Sequence, residues 1–191
     1  GMGLDARIGE QFLRPGPGYG GSCFPKDTVA IRSVAERYGV TLSLIDSTIR
    51  ANQNVKESAA RKVVSEFLLT DRAKRICLFG CTFKPGTDDM REAPSIEIVR
   101  ALNELNIEIV ICDEQGFQHG HKIFDDVEWI MDPYHAAMDC DLVVLVTEWK
   151  RFLSLDYQKL ASVMSGSKLL DLKFLLDSHD VTKHGLQYVT L

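Results

Sequence analysis

The sequence predicts an α/β protein in which a helical central segment, residues 1–72, precedes a Rossmann-like parallel-sheet domain, residues 73–191. Three observations predict it. From about Lys74 onward, short apolar runs alternate with amphipathic stretches at helical spacing, the pattern of βαβ units. Before that point the only sustained periodicity is helical. Ahead of both stands Gly16-Pro17-Gly18-Tyr19-Gly20-Gly21-Ser22-Cys23-Phe24-Pro25-Lys26-Asp27, whose first ten residues hold four glycines and two prolines and must form a shaped loop.

Taken in order, Gly1-Met2-Gly3-Leu4-Asp5-Ala6-Arg7-Ile8-Gly9 has no start of its own and reads as the tail of a preceding helix and a turn. After the loop, Ala30, Ile31, Val34, Ala35 and Tyr38 recur at helical steps, and Gly39 suits the residue just past a helix end. Asp27 is placed to cap that helix. A longer helix runs from about Ser43 to Leu69, with Ile45, Thr48, Ile49, Asn52, Val55, Ala59, Val63 and Phe67 along one face. Its length outstrips a small core, so part of it is expected to meet another domain or a second subunit.

Strands are expected at Ile76–Phe79, Ile107–Cys112, Leu142–Val146 and Lys168–Leu172, with a short one near Val127 and a last edge strand over Leu186–Leu191. Helices are expected at Pro94–Leu105, where proline suits a first turn, at Asp132–Met138 and at Leu155–Met164. Gly80 ends the first strand, yet the following Cys81-Thr82-Phe83-Lys84-Pro85-Gly86 is not the Gly-x-Gly-x-x-Gly turn of a dinucleotide site. In an open parallel sheet ligands bind beyond the carboxyl ends of the strands. The loop from Cys81 to Glu92 lies there and carries Lys84 and Arg91, which suit a phosphate. The same loop could instead pair its own Asp88, Asp89, Arg91 and Glu92.

Composition narrows the function. A net charge of −5 argues against a nucleic-acid or membrane-surface partner. No apolar run approaches the roughly 20 residues that span a bilayer, and no secretory leader pattern opens the chain, so a cytoplasmic protein is expected. The five cysteines, at 23, 77, 81, 112 and 140, are odd in number and lack Cys-x-x-Cys spacing, which predicts reduced thiols. Histidine spacing suggests no metal site. Cys23 is the thiol with chemistry around it, since a nearby helix start and lysine favour a thiolate.

Three motifs together resemble the UDP-glucose/GDP-mannose dehydrogenase family. Gly18 to Asp27 resembles its catalytic-cysteine loop, Thr82-Phe83-Lys84-Pro85-Gly86-Thr87-Asp88-Asp89-Met90-Arg91-Glu92-Ala93-Pro94-Ser95 its signature after the first C-terminal strand, and Thr147-Glu148-Trp149 a third match. Asp5 to Gly9 and Phe12 also fit. The resemblance implies an NAD-dependent oxidation of a nucleotide sugar at C6, from alcohol to carboxylate, with two NAD. The loop around Cys23 is closer to the UDP-glucose branch than to the GDP-mannose or UDP-N-acetylhexosamine branches. The resemblance assigns Cys23 as nucleophile through a thiohemiacetal and a thioester, Asp27 to the hydrolytic water, and Lys26 to the thiolate or cofactor. Gly18, Tyr19, Gly20, Gly21, Phe12, Phe83 and Lys84 match substrate contacts, and Arg91 a residue that reaches NAD. Arg7 matches an arginine that enters a neighbouring subunit's site, implying a homodimer through the central helix.

Two departures qualify this. No Gly-x-Gly-x-x-Gly occurs, so the resemblance implies that the NAD-binding half of the site lies outside these residues and that the isolated chain is inactive. Where the family has Asp-x-Arg, this chain has Asp171-Leu172-Lys173, keeping the charge at Lys173 but losing the planar fork. The alternative is a nucleotide-sugar-binding or dimerisation module without chemistry. The intact trio of Cys23, Lys26 and Asp27 argues against long decay into such a module, because packing alone does not demand these residues; the GDP-mannose branch of the family is the other alternative.

Overall fold

The computed structural model describes residues 1–9, 13–70 and 74–191. Two helices come first, α1 (Phe24–Arg37) and α2 (Ser43–Leu68). They are followed by β1 (Arg75–Phe79), α3 (Pro94–Asn103), β2 (Glu108–Cys112), α4 (Phe117–Gly120), β3 (Val127–Trp129) and α5 (Pro133–Ala136). The chain then forms β4 (Leu142–Leu145), α6 (Tyr157–Val163), β5 (Lys168–Asp171), α7 (Ser178–Thr182) and β6 (Gln187–Thr190). Every expected strand is present, within a residue or two of its expected ends. The short helices α4 and α7 were not marked by spacing, because they are too brief to show a period.

The strands form one six-stranded sheet in the order β3-β2-β1-β4-β5-β6, and every pairing is parallel. This is the strand order of the doubly wound nucleotide-binding fold. The chain reverses direction across the sheet between β1 and β4, where Phe79 lies between Cys112 and Leu145. Alternate side chains separate into two cores. Ile76 and Leu78 of β1 join Ala60, Val63 and Phe67 of α2 and Ile98 and Leu102 of α3 on one face. Cys77 and Phe79 join Ala136, Phe152, Leu160 and Val181 on the other, where the Phe79 and Phe152 rings stack at 4.8 Å.

Helix α2 is divided along its length. Its buried residues are Lys56, Ala59, Ala60, Val63 and Phe67, so only its second half enters the sheet core. Thr48 and Val55, expected on the buried face, are exposed. The stripe steps from Asn52 to Lys56, which stays closer to one line on a helix of 3.6 residues per turn than a step to Val55. Glu66 ties this half to the sheet, accepting from Lys168 of β5 at 3.0 Å and from Lys62 at 3.0 Å. Helix α1 buries no residue at all; Ile31, Val34 and Tyr38 of its apolar spacing stay exposed. Asp27 does not cap it. Cys23 occupies the N-cap, and Asp27 lies one turn in, its backbone N–H donating to the Cys23 carbonyl at 2.8 Å.

Candidate active-site loop

The Gly-rich loop lies across the carboxyl edge of the sheet because α2 holds it there. Asn52 grips the Tyr19 backbone from both sides: its Oδ1 accepts from Tyr19 N–H at 2.7 Å and its Nδ2 donates to the Tyr19 carbonyl at 3.1 Å. The loop then docks on the segment after β1, where Gly21 N–H donates to the Arg91 carbonyl at 2.7 Å. Close approach explains the glycines. A Cβ on Gly20 would stand 2.4 Å from the Glu92 carbonyl oxygen, and one on Gly21, with φ of +89°, would stand 2.7 Å from the Phe83 ring. Tyr19 and Phe24 meet edge to face at 4.6 Å, bracketing the turn that carries Cys23.

Cys23 is exposed at the start of α1, with Ser22 Oγ 3.6 Å from its Sγ. Lys26 Nζ pairs with Asp27 at 2.7 Å on the same exposed turn. That hydrogen bond raises the lysine above its ordinary value, with a smaller contribution from Cys23. Arg91 makes a two-pronged contact with Asp89, Nε to Oδ1 and NH2 to Oδ2 each at 2.9 Å, and the guanidinium holds the Asp89 carboxyl below the ordinary range. The expected self-pairing of this loop is therefore realised in part, with Asp88 reaching His119 at 3.2 Å. Lys84 is exposed, its ammonium 5.4 Å from the centre of the Phe83 ring.

The structure thus gathers Gly18, Tyr19, Gly20, Gly21, Cys23, Phe83 and Arg91 around one rim, with Lys26, Asp27 and Lys84 exposed beside it. Lys173 joins from the segment after β5: its Nζ pairs with Glu148 at 2.9 Å and would lie 3.2 Å from a Cβ on Gly16. Arg7 does not reach this rim; it points to solvent and folds back on Asp5. Phe12 lies outside the described residues.

Behind the rim, residues that spacing did not single out hold the loops together. Buried Asp113, at the end of β2, accepts from the N–H groups of Cys81 at 2.8 Å and Gly116 at 2.9 Å and from the Trp149 indole at 3.1 Å. Thr147 donates to the Thr82 carbonyl at 2.6 Å. Asp171 accepts from the N–H groups of Lys173, Leu175 and Leu176 and from the Tyr188 hydroxyl. Asn52 and Lys56 had a signal in the sequence: they are polar residues four apart on an otherwise apolar stripe. Asp113 had one too, an acid directly after an apolar strand.

A 3-2-1-4-5-6 parallel sheet with a cysteine-bearing loop across its switch point defines the class, a nucleotide-binding α/β fold arranged around an exposed thiol. The chain belongs to the UDP-glucose/GDP-mannose dehydrogenase family: residues 77–178 match that family's UDP binding domain and residues 1–54 its central domain. It is 40% identical over 191 residues to a UDP-glucose 6-dehydrogenase of Rhizobium meliloti, covering all of this chain and 44% of that protein. A Rickettsia bellii UDP-glucose 6-dehydrogenase is 32% identical, again with 100% of this chain and 44% of the relative covered. A UDP-glucose dehydrogenase structure from the archaeon Pyrobaculum islandicum superposes with a TM-score of 0.79 at 28% identity, covering 98% of this chain and 41% of that one. The chain therefore spans less than half the length of these relatives. No described helix is long and apolar enough to cross a membrane. Among the described residues no cluster of three or more His, Cys, Asp or Glu side chains is gathered as for a metal ion.

Proposed function

We propose that this chain is the central and UDP-binding part of an enzyme that oxidises UDP-glucose to UDP-glucuronate, with Cys23 as its nucleophile. The observation that carries it is the seating of the Cys23 loop, backbone to backbone, on the segment holding Phe83, Lys84 and Arg91. Residues 1–72 supply the thiol and a helix for dimerisation, and residues 73–191, which contain every described strand, supply the nucleotide domain.

In this mechanism Cys23 gives its thiol proton to water, the thiolate adds to the C6 aldehyde of the sugar, and the oxygen anion so formed takes a proton from water to leave a thiohemiacetal. The oxidised adduct is a thioester, which water attacks under general-base assistance from Asp27. Gly20 and Gly21 let the loop lie flat on Glu92 and Phe83, which sets Cys23 at the rim. Phe83 covers one side of the sugar, while Lys84 and Lys173 are the cations available to the diphosphate. Lys173 is already paired with Glu148, so nucleotide binding competes with that pair.

NAD supplies the hydride acceptor in such a reaction. The sheet itself does not fit a dinucleotide in the usual way, since Asp113, the acid that would meet a ribose, is buried and occupied by backbone N–H groups. Lys26 and Arg91, exposed on the Cys23 rim, are the residues here that would face the cofactor, and the rest of its site belongs to sequence outside this chain. The isolated chain is accordingly inactive, while the whole enzyme is a cytoplasmic homodimer in which Arg7 enters the partner's site.

The test is a chimera in which residues 1–191 replace the matching 44% of the Rhizobium meliloti relative. Turnover of UDP-glucose with NAD is expected, and Cys23→Ser is expected to abolish it. A folded chimera that binds neither UDP-glucose nor UDP in calorimetry would overturn the proposal. Binding without turnover would favour the non-catalytic module, and preference for GDP-mannose would move the substrate branch.

A further inference from the structure

Lys56 is a lysine with its side chain only 3% exposed, yet it faces an exposed carboxylate, Glu92, at 2.9 Å. Its stem lies under the Gly-rich loop: a Cβ on Gly18 would stand 3.0 Å from Lys56 Cγ and 2.9 Å from Asn52 Oδ1. Its ammonium emerges beside Glu92, whose own carbonyl is pressed against Gly20. Glu92 takes a left-handed backbone, φ +55°, which is costly for a residue with a Cβ. That conformation is what aims its carbonyl at the loop and its side chain at Lys56.

We propose that Lys56 and Glu92 form a latch that positions the Cys23 loop on the nucleotide domain. Three contacts close a triangle. Asn52 joins α2 to the loop at Tyr19, Gly21 joins the loop to the segment after β1, and Lys56 joins that segment back to α2. Removing any one side leaves the others to act alone. The Lys56 side is the only one of the three that carries charge, and its ammonium has left water for this one carboxylate. Neither residue touches the thiol, so both are positioning residues. Their importance to catalysis rests on Cys23 being the nucleophile; the latch itself does not.

The test therefore begins with the chain alone, without substrate. Amide hydrogen exchange is measured at Gly21 and at core strand positions in the parent, Lys56→Met, Glu92→Gln, the double variant and Lys56→Arg. Glu92→Gln strands a buried ammonium and is expected to speed Gly21 exchange at least tenfold, with β1 and β4 amides unchanged. Lys56→Met should show a smaller increase, the double variant no more than Glu92→Gln alone, and Lys56→Arg near-parental protection. In the chimera, Lys56→Met should lower kcat about tenfold with KM within twofold. Unchanged Gly21 exchange in both single variants, or additive effects in the double, overturns the latch. An inert parental chimera beside intact exchange effects overturns the catalytic proposal and leaves the latch standing.

Discussion

Asn52→Ala tests how the Cys23 loop is held. The side-chain amide makes both hydrogen bonds to Tyr19, at 2.7 and 3.1 Å, and is the sole side chain among the described residues that pairs with that backbone. A neutral hydrogen bond contributes about 1 kcal/mol net. Losing both should weaken loop docking by about 2 kcal/mol, or roughly 30-fold in the docked population. Asn52 is only part-buried, so water can replace some of this and the figure is an upper range. Hydrogen exchange at the Tyr19 amide is the assay, with the melting temperature as a control for the sheet. Asn52→Asp gives a second arm: a carboxylate still accepts from Tyr19 N–H but turns a bare oxygen toward its carbonyl. Protection should then be poor at neutral pH and improve as the acid protonates below about pH 4. Parental Tyr19 exchange in Asn52→Ala would refute this account of the loop.

Three further outcomes are expected. A thiol reagent at pH 8 should modify Cys23 alone in the folded chain and all five cysteines once unfolded, because the other four are buried, and burial lifts Cys77 and Cys81 and pushes Cys112 up to about 12. Two fast-reacting native thiols would contradict it. Gly20→Ala places a methyl 2.4 Å from a backbone oxygen that cannot rotate away, so the loop must lift; about 1–3 kcal/mol of overpacking is expected, read as faster Gly21 exchange. Burial raises the Glu66 carboxyl, but Lys168 and Lys62 outweigh burial and leave it lowered overall. Its stabilisation is therefore full above the unfolded value of about 4.3 and is lost as pH falls through the folded value. Glu66→Gln should flatten the fall in melting temperature between about pH 5 and pH 3; identical acid profiles would count against the α2–β5 tie.

Much of the architecture could be read from periodicity because a parallel sheet buried on both faces demands continuous apolar strands such as Leu142–Leu145. The order of those strands could be expected only from resemblance, since parallel neighbours are set by crossovers rather than by local spacing. The Gly-rich loop announced itself through glycine and proline. The partners of its supports did not: Asn52 and Lys56 stand out as polar residues on an apolar stripe, but they act on Tyr19 and Glu92 across separations of 33 and 36 residues, which no local pattern encodes. Asp27 illustrates a different limit. Its position near a helix start fits a cap, but Phe24 and Pro25 begin the helix earlier, so Cys23 takes the boundary instead. The bare apolar side of α1 shows that helical spacing reveals a face without saying what covers it.

Thr147, Glu148 and Trp149 each grasp a different neighbour: the Thr82 carbonyl after β1, Lys173 after β5, and Asp113 after β2. Consecutive residues on one turn thus make the loops at this edge a single mechanical part. Loop exchange with a relative of different sugar preference would fail piece by piece, since a grafted segment after β1 must return a carbonyl to Thr147 and amides to Asp113. Under the proposed function, altered specificity is to be sought in single side chains that project from this scaffold, such as Phe83 and Lys84, rather than by transplanting the backbone that carries them.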